Sequence, residues 1–267
     1  MLRIALFGAT GRMGRAILPL LVAEPDLALS GALAPAGNPA VGRDAGALAG
    51  LAPLGLAVTD ELGRALAGAQ VAIDFTLPAA SAVHARTCAE RGCPLVIGTT
   101  GHDADARREI DAAATLVPVV LAPNMSLGVN LLLRLAELAA RALPAQYDAE
   151  IFEAHHRDKL DAPSGTALAL GEAVARARQT TLADSAVHSR VGAIGARPAG
   201  AIGFSVLRAG EIVGEHRLVF AGPGERIELA HYAQDRSGFA RGALAAARWL
   251  AVGRRPGLYG MTDVLGL

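Results

Sequence analysis

The chain has 267 residues, of which 52% are hydrophobic, so it can form one large globular core or two moderate ones. Lysine plus arginine and aspartate plus glutamate both number 25, which makes the formal net charge zero. This balance argues against a general nucleic-acid-binding protein, because such a protein needs a basic excess to neutralise phosphates.

The two cysteines, Cys88 and Cys93, match neither a CxxC pair nor a Cys/His zinc motif. We therefore expect reduced thiols, and neither a disulfide framework nor a metal site. The first apolar run, Leu2–Phe7, is too short for a signal peptide, and the best candidate membrane span is interrupted by Arg134 and Glu137. These features predict a cytoplasmic protein that does not bind membranes.

The first half of the chain alternates short apolar runs with longer segments that favour helix. The expected strands are Leu2–Phe7, Leu27–Leu33, Val71–Phe75, Pro94–Ile97 and Val117–Leu121. The expected helices are Gly11–Ala23, Ala79–Arg91 and Asp103–Ala114. Strands and helices that alternate at this spacing predict βαβ units and a parallel sheet.

After Asn124 the pattern changes, and three strands follow one another without helices between them. The expected elements are helix Leu127–Leu143, strand Ala149–Ala154, helix Ser164–Arg178, strands Ile202–Leu207, Ile212–Phe220 and Ile227–Tyr232, and helix Gly238–Val252. Glycine-containing turns join the three strands, which predicts an antiparallel meander. The sequence as a whole predicts an α/β protein, with a Rossmann-like doubly wound parallel sheet followed by an α+β domain carrying a mixed or antiparallel sheet.

A glycine-rich loop, Gly8–Gly14, follows the first strand and opens the first helix. Its GxxGxxG spacing is a variant of the dinucleotide-binding fingerprint. Glycines let the backbone approach a pyrophosphate, and the helix N-terminus presents free N–H groups with a partial positive charge. A turn that only permits tight packing is the alternative, but the position between strand and helix favours a dinucleotide site.

Two further loops, Gly98–Gly101 and Ala122–Met125, follow strands of the same predicted sheet. Ligands of open α/β sheets bind at the carboxyl ends of strands, so both loops are placed to touch a nicotinamide or its ribose. Ordinary connecting turns are the alternative interpretation.

The most informative stretch is Glu153–Thr166, with the sequence EAHHRDKLDAPSGT. Two histidines, an arginine and a lysine lie within five positions after an apolar strand, and Ser164 can cap the following helix. Free N–H groups and hydroxyls at that helix start, beside proton donors, predict a carboxylate site. If the strand persists, His155 and His156 face opposite sides and have different roles. A solvated loop with an ordinary helix cap is the alternative.

The pairing of GATGRMG with EAHHRDKLDAPSGTA resembles the 4-hydroxy-tetrahydrodipicolinate (dihydrodipicolinate) reductase family of lysine and diaminopimelate biosynthesis. The resemblance extends along the chain through Asp74–Thr76, Val96–Gly101, Asn124–Asn130 and Arg208–His216. It implies a Rossmann domain and an α+β domain that builds a homotetramer, with the C-terminal helix returning to the first domain. On this basis we expect a dinucleotide-binding domain at residues 1–126, completed by 236–267, and a substrate-binding and oligomerisation domain at 127–235.

The resemblance also implies a reaction, in which NADPH or NADH reduces a cyclic imine dicarboxylate to tetrahydrodipicolinate. The implied proton donors are His155 and Lys159. The implied carboxylate ligands are His156, Gly165 and Thr166, to which the helix-start argument adds Ser164. The implied cofactor contacts are Gly8, Ala9, Thr10, Gly11, Arg12, Met13, Gly98, Thr99, Thr100, Ala122, Pro123, Asn124 and Met125. No metal is implied.

The end of the second strand departs from the family pattern, which often has an acidic residue and then an arginine where this chain has Ala34 and Pro35. An acid there would repel the 2′-phosphate of NADPH, and none occurs in Leu27–Val41. We therefore expect both cofactors to work, with NADPH at least equal to NADH. Arg12 is the nearest cation for the phosphate, and Arg43 is a second one if its loop folds back.

Two other functions are weighed against this one. The first is another imine or amino-acid oxidoreductase of the same two-domain plan, such as an aspartate dehydrogenase-like enzyme; the helix start at Ser164 favours the cyclic dicarboxylate instead. The second is a non-catalytic NADP sensor, which would be expected to lose His155 or Lys159, and both are present.

Overall fold

The computed structural model describes residues 1–267 and divides them into two compact units. The first unit consists of Met1–Leu127 with Arg236–Leu267, and the second of Gly128–Asp235. Each unit has its own sheet and its own hydrophobic core. None of the helices combines the length and apolar character that crossing a membrane requires.

Strands and helices are numbered along the chain. The strands are β1 (Leu2–Phe7), β2 (Leu27–Leu33), β3 (Val71–Asp74), β4 (Leu95–Ile97), β5 (Pro118–Leu121), β6 (Asp148–His155), β7 (Ala186–Val187), β8 (Ile202–Arg208), β9 (Gly214–Gly222), β10 (Glu225–Ala233) and β11 (Gly257–Tyr259). The helices are α1 (Arg12–Ala23), α2 (Ala45–Leu48), α3 (Leu62–Ala65), α4 (Pro78–Glu90), α5 (Ala104–Ala114), α6 (Leu127–Ala142), α7 (Gly165–Ala177), α8 (Leu182–Ser185), α9 (Ser237–Ala251) and α10 (Met261–Leu265).

The sheet of the first unit has the strand order β11-β5-β4-β3-β1-β2, and all its strands are parallel. Ile4 and Leu6 of β1 pack into one core cluster, whereas Ala5 and Phe7 pack into another, so the sheet is covered on both faces. From β1, the chain adds β2 on one side and β3, β4 and β5 on the other, so the order of the strands reverses between β1 and β3. This is the switch point where ligands of doubly wound sheets bind, and the predicted Rossmann-like fold is confirmed.

β11, which no pattern in the sequence predicted, adds a sixth strand beside β5. Its three residues are too few to show a hydrophobic period, and they become a strand only because the edge of β5 is there to pair with. Helix α9 precedes it and supplies Ala243, Leu244 and Ala247 to the core under the sheet. The segment after the second unit therefore completes the first.

The sheet of the second unit has the order β10-β9-β6-β8-β7 and is mixed. The predicted antiparallel meander is wrong for β8, because β8 and β9 lie on opposite sides of β6, parallel and antiparallel to it respectively. Only β9 and β10 form the expected hairpin. Ala149 and Ile151 are fully buried, which suits β6 to the centre of the sheet. The turn residues after β8 do not reveal that the chain passes over β6 before it forms β9.

The two faces of this second sheet differ. One face packs with α6 and α7 into a core that includes Ile151, Phe204 and Phe220. Residues that alternate with these along their strands, such as Phe152 and Leu207, are exposed. The second unit therefore presents a sheet face on which exposed apolar side chains lie among charged ones such as Arg217 and Glu228.

Candidate active site

The glycine loop joins β1 to α1, and its shape depends on the absence of side chains. Gly8 has a φ of +77°, and a Cβ there would lie 2.5 Å from the carbonyl oxygen of Phe75. A Cβ on Gly14 would overlap the carbonyl oxygen of Gly8. Gly11 precedes α1 and has no side chain to cap it, so the first N–H groups of the helix stay available. This arrangement fits a pyrophosphate at the helix N-terminus.

A cavity of about 450 Å³ adjoins the glycine loop in the first unit. Three of the predicted cofactor residues line it, namely Gly8, Thr10 and Gly11. The rest of its wall comes from the end of β2, the start of α4 and the segments next to them: Leu33, Ala34, Pro35, Asn38, Asp60, Leu62, Phe75, Thr76, Leu77, Ala80, Val83 and His84. Its mostly apolar wall beside a pyrophosphate site suits the adenosine half of a dinucleotide.

A buried polar network lies beneath this cavity and was not foreseen from the sequence. The carboxylate of Asp74 is fully buried and lies 2.8 Å from Nδ1 of His84. It also accepts hydrogen bonds from the backbone N–H and the hydroxyl of Thr76, and one from the hydroxyl of Thr99. Asp74 thereby ties together the end of β3, helix α4 and the loop after β4.

A second cavity of the first unit, of about 510 Å³, lies at the carboxyl ends of β4 and β5. Thr99, Thr100 and Pro123 line it, so they border a different cavity from the glycine loop. β11 contributes Leu258 and Tyr259 to its wall, which the sequence analysis did not anticipate.

The other predicted cofactor residues support these cavities without lining them. Ala9, Ala122 and Met125 are buried, and a Cβ on Gly98 would overlap the ring of Phe75. Asn124 accepts a hydrogen bond from the N–H of Ser126 at 2.9 Å, which shapes the loop after β5. Arg12 and Met13 form the first residues of α1.

In the second unit, the centre of the candidate site is Glu153, whose side chain is 1% exposed. Arg208 binds its carboxylate with two hydrogen bonds, at 2.7 and 2.8 Å. The N–H of Ser164 donates a third at 2.9 Å, and Nδ1 of His155 lies 2.7 Å away. His216 contacts both His155 and Ser164. We call this group of side chains, with Glu153 and Arg208, the Glu153 cluster.

Glu153 is held in its ionised form and fixes the orientation of the His155 ring. Burial raises the pKa of Glu153, but the bonds from Arg208, His155 and Ser164 outweigh burial and hold the pKa below its usual value. An ionised carboxylate only accepts, so Nδ1 of His155 carries a proton and Nε2 is left for other chemistry. A Cβ on Gly214 would lie 3.1 Å from this Nε2, so the glycine keeps the space beside it open.

The two histidines of the cluster are held largely neutral. Burial lowers the pKa of His155 despite its bond to Glu153. Burial is the main cause that lowers the pKa of His216 to about 4. Nε2 of His216 lies 2.9 Å from the hydroxyl of Ser164, whereas its buried Nδ1 has no partner.

The helix start is organised as the sequence predicts, with Ser164 as the cap of α7. Its hydroxyl accepts a hydrogen bond from the N–H of Ala167, and Ser164 itself is 2% exposed. Gly165 is exposed, and a Cβ there would meet no atom within 4 Å. Thr166 is partly exposed in the first turn. The open side of the helix start therefore lies at Gly165 and Thr166, while the polar groups of Ser164 bond within the protein.

The remaining predicted residues lie in the loop between β6 and α7. β6 ends at His155, so His156 lies beyond the strand and the alternation argument does not apply to it. Nζ of Lys159 donates to both carboxylate oxygens of Asp161, at 2.8 and 2.9 Å. The loop is fastened to the turn between β8 and β9, because the N–H of Arg157 donates to the carbonyl of Gly210.

Family models match nearly the whole chain. The model described as dihydrodipicolinate reductase, N-terminus, matches residues 2–125, and the one described as dihydrodipicolinate reductase, C-terminus, matches residues 128–265. The chain belongs to the dihydrodipicolinate reductase family. It is therefore an oxidoreductase, and the resemblance seen in the sequence motifs is confirmed.

Individual relatives of this family are similar over the full length. The 4-hydroxy-tetrahydrodipicolinate reductase of Thiobacillus denitrificans is 56% identical over 265 residues, which cover 99% of this chain and 98% of that protein. The enzyme of the same name from Anaeromyxobacter dehalogenans is 53% identical over 267 residues, covering 100% and 98%. The dipicolinate-bound dihydrodipicolinate reductase of Paenisporosarcina sp. TG-14 superposes with a TM-score of 0.80 at 25% identity, over 98% of each chain.

Sequence reasoning missed the members of the Glu153 cluster that come from distant strands. Arg208 ends β8 and His216 lies on β9, both pairing with β6. Glu153 was detectable, because it lies two residues before His155 on a strand and so shares its face. The distant partners depend on the sheet order, and no local pattern reveals that order.

Proposed function

We propose that this enzyme reduces the dehydrated form of 4-hydroxy-tetrahydrodipicolinate to tetrahydrodipicolinate, with NADH or NADPH as the hydride donor. The single observation that carries the proposal is the Glu153 cluster beside the open helix start of α7, in a chain that belongs to the dihydrodipicolinate reductase family. A dianionic cyclic substrate calls for such an arrangement, because its carboxylates need N–H donors and its ring needs a proton.

The first unit fits a dinucleotide, because its glycine loop leaves the N–H groups of α1 open and a cavity adjoins them. When bound, the reduced cofactor supplies a hydride to ring C4 of the substrate. We propose that residues Gly8 to Met13 hold the pyrophosphate region, and that the loops at Gly98–Thr100 and Ala122–Met125 border the nicotinamide half.

In the second unit, we propose that His155 and Lys159 donate protons. Hydride addition at C4 leaves negative charge on C3 and the ring nitrogen, and a cationic side chain nearby stabilises that charge. Because burial keeps His155 neutral in the free protein, the proposal requires a dicarboxylate anion to raise its pKa on binding. Lys159 pairs with the exposed Asp161, and an ion pair of this kind is weak enough to exchange for substrate.

For the substrate carboxylates, we propose the N–H groups at Gly165 and Thr166, the hydroxyl of Thr166 and the ring of His156. Ser164 belongs to the same site but acts through its contacts with Ala167, His216 and Glu153, which fix the direction of α7. The accessible residues, Gly165, Thr166 and His156, therefore contact the substrate directly, whereas the buried Ser164 orients the helix start.

The exposed face of the second sheet carries apolar side chains, such as Phe152, Leu207 and Tyr232, which support a homotetramer formed through residues 202–232. Grouped apolar side chains that are open to solvent are typical of a surface that contacts another protein. A single monomer mass in light scattering at micromolar concentration would contradict this assembly. From the family membership, we also propose a cytoplasmic role in lysine and diaminopimelate biosynthesis.

The experiment that tests the function supplies the substrate as it forms. Aspartate semialdehyde, pyruvate and the upstream synthase are mixed with the enzyme, and the absorbance of NADH or NADPH is followed. We expect oxidation of the cofactor that requires the synthase, with none when the synthase is omitted. Turnover of oxaloacetate plus ammonia, without turnover of the synthase product, would transfer the assignment to an aspartate dehydrogenase-like activity.

A further inference from the structure

A short segment from elsewhere in the chain pairs alongside the end of β2. Thr59 pairs with Leu33 in a parallel bridge, and its N–H donates to the carbonyl of Ala32 at 2.9 Å. The carbonyl of Thr59 in turn accepts the N–H of Ala34 at 3.0 Å. This short strand-like segment therefore runs beside the end of β2 in the same direction, and the residue after it, Asp60, emerges at the same edge of the sheet.

Asp60 is an exposed residue that lines the cavity next to the glycine loop, together with Gly8, Gly11, Ala34 and Pro35. Its carboxylate takes part in no hydrogen bond or ion pair, so it is available to a ligand. No lysine or arginine lines this cavity, and the only other titratable side chain there, His84, is bonded to Asp74.

The two cations that the sequence suggested for a 2′-phosphate do not border the cavity. Arg12 begins α1 and is exposed. Arg43 is exposed as well, and its backbone is fixed by hydrogen bonds with Ala40 and Val58. The charge presented to the adenosine end of a dinucleotide is therefore negative.

We propose that Asp60 takes the place of the acid that is missing at the end of β2 and binds the hydroxyls of the adenosine ribose, so that this enzyme prefers NADH to NADPH. The inference rests on the proposed use of a nicotinamide dinucleotide. A carboxylate at this place accepts hydrogen bonds from the ribose hydroxyls and repels a 2′-phosphate. It reverses the expectation from sequence, which looked for the acid only within Leu27–Val41 and could not see that Asp60 reaches the same place.

Direct binding tests the inference without any dicarboxylate substrate. The Kd values of NADH and NADPH are measured by calorimetry for the wild type, Asp60→Asn and Glu61→Gln. We expect the wild type to bind NADH at least about tenfold more tightly, equivalent to roughly 1.4 kcal/mol, and Asp60→Asn to bring the two Kd values to within about threefold. The preference in the wild type should shrink at high salt, because screening weakens the repulsion of the phosphate.

Glu61→Gln is the matched control, since it removes the same charge from the adjacent exposed residue, which does not line the cavity. We expect it to keep the preference of the wild type. Asp60 is exposed and unpaired, so its substitution leaves the fold intact. Tighter binding of NADPH by the wild type, or equal shifts in the two variants, would overturn the inference. A preference for NADH without turnover of the synthase product would uphold Asp60 and overturn the proposed substrate.

Discussion

The glycine loop of the first unit and the Glu153 cluster of the second are both polar sites, yet they are built in opposite ways. The loop removes side chains, so that backbone N–H groups at the start of α1 are exposed. The cluster concentrates charged side chains around one buried carboxylate. The glycine loop therefore depends on the absence of side-chain volume. The Glu153 cluster instead depends on each charge and each hydrogen bond around the buried carboxylate.

The largest expected effect separates the chemistry of the second unit from nucleotide binding in the first. We expect His155→Ala and Lys159→Ala each to lower kcat by about 10²–10⁴-fold, the usual contribution of a positioned acid. The Kd of the nucleotide should stay the same, because neither residue belongs to the glycine loop. Steady-state kinetics with calorimetry checks both values, and Asp158→Asn, an exposed charge in the same loop, serves as the control. Near-normal kcat in both alanine variants would refute their role.

The second prediction tests whether the carboxylate of Glu153 holds its cluster together. Glu153→Gln keeps the shape but leaves Arg208 without its ionic partner, and we expect a loss of roughly 3–5 kcal/mol in the free energy of unfolding. Glu150→Gln, on the same strand, loses a more exposed pairing with Arg190 and Arg197 and should cost less. Urea unfolding measures both, and an equal cost would show that burial of Glu153 is immaterial.

The third prediction concerns volume in the glycine loop. Gly8→Ala forces a side chain into a left-handed backbone conformation and against the carbonyl of Phe75, for a combined cost of about 3 kcal/mol. Gly50 has almost the same φ, +76°, but a Cβ there would meet nothing within 4 Å. Gly50→Ala should therefore cost only about 1–2 kcal/mol. Urea unfolding of the two variants separates steric overlap from backbone strain, and equal costs would exclude the overlap.

The smallest effect is the dependence of stability on pH that His216 causes. Because its pKa falls from 6.5 to about 4 on folding, the unfolded chain binds more protons between these values. Stability is therefore full above pH 6.5 and falls as the pH decreases toward 4, by about 2 kcal/mol between pH 8 and pH 5. His216→Gln should remove this part of the slope in urea unfolding at fixed protein concentration. An unchanged slope would assign the dependence to other groups.

Features that depend on a few neighbouring residues were predictable from the sequence, whereas features that depend on distant segments were not. Strands of the first unit, the glycine loop and the cap at Ser164 follow from patterns within a few residues, and the structure contains them. β11, the position of β8 and the partners of Glu153 depend on pairings between distant segments. Asp60 is a further case, because it lines the same cavity as Ala34 and Pro35 but comes from another segment of the chain.

The return of α9 and β11 to the first unit has a consequence for how the chain is synthesised. The ribosome makes the whole second unit, Gly128–Asp235, before the residues that complete the cover of one face of the first sheet and pair with the edge of β5. A nascent chain halted at residue 235 would hold every residue of the second unit, but one apolar face of its first unit would be only partly covered. Translation order thus makes the nucleotide-binding unit, whose N-terminal segment emerges first, the later of the two to be finished.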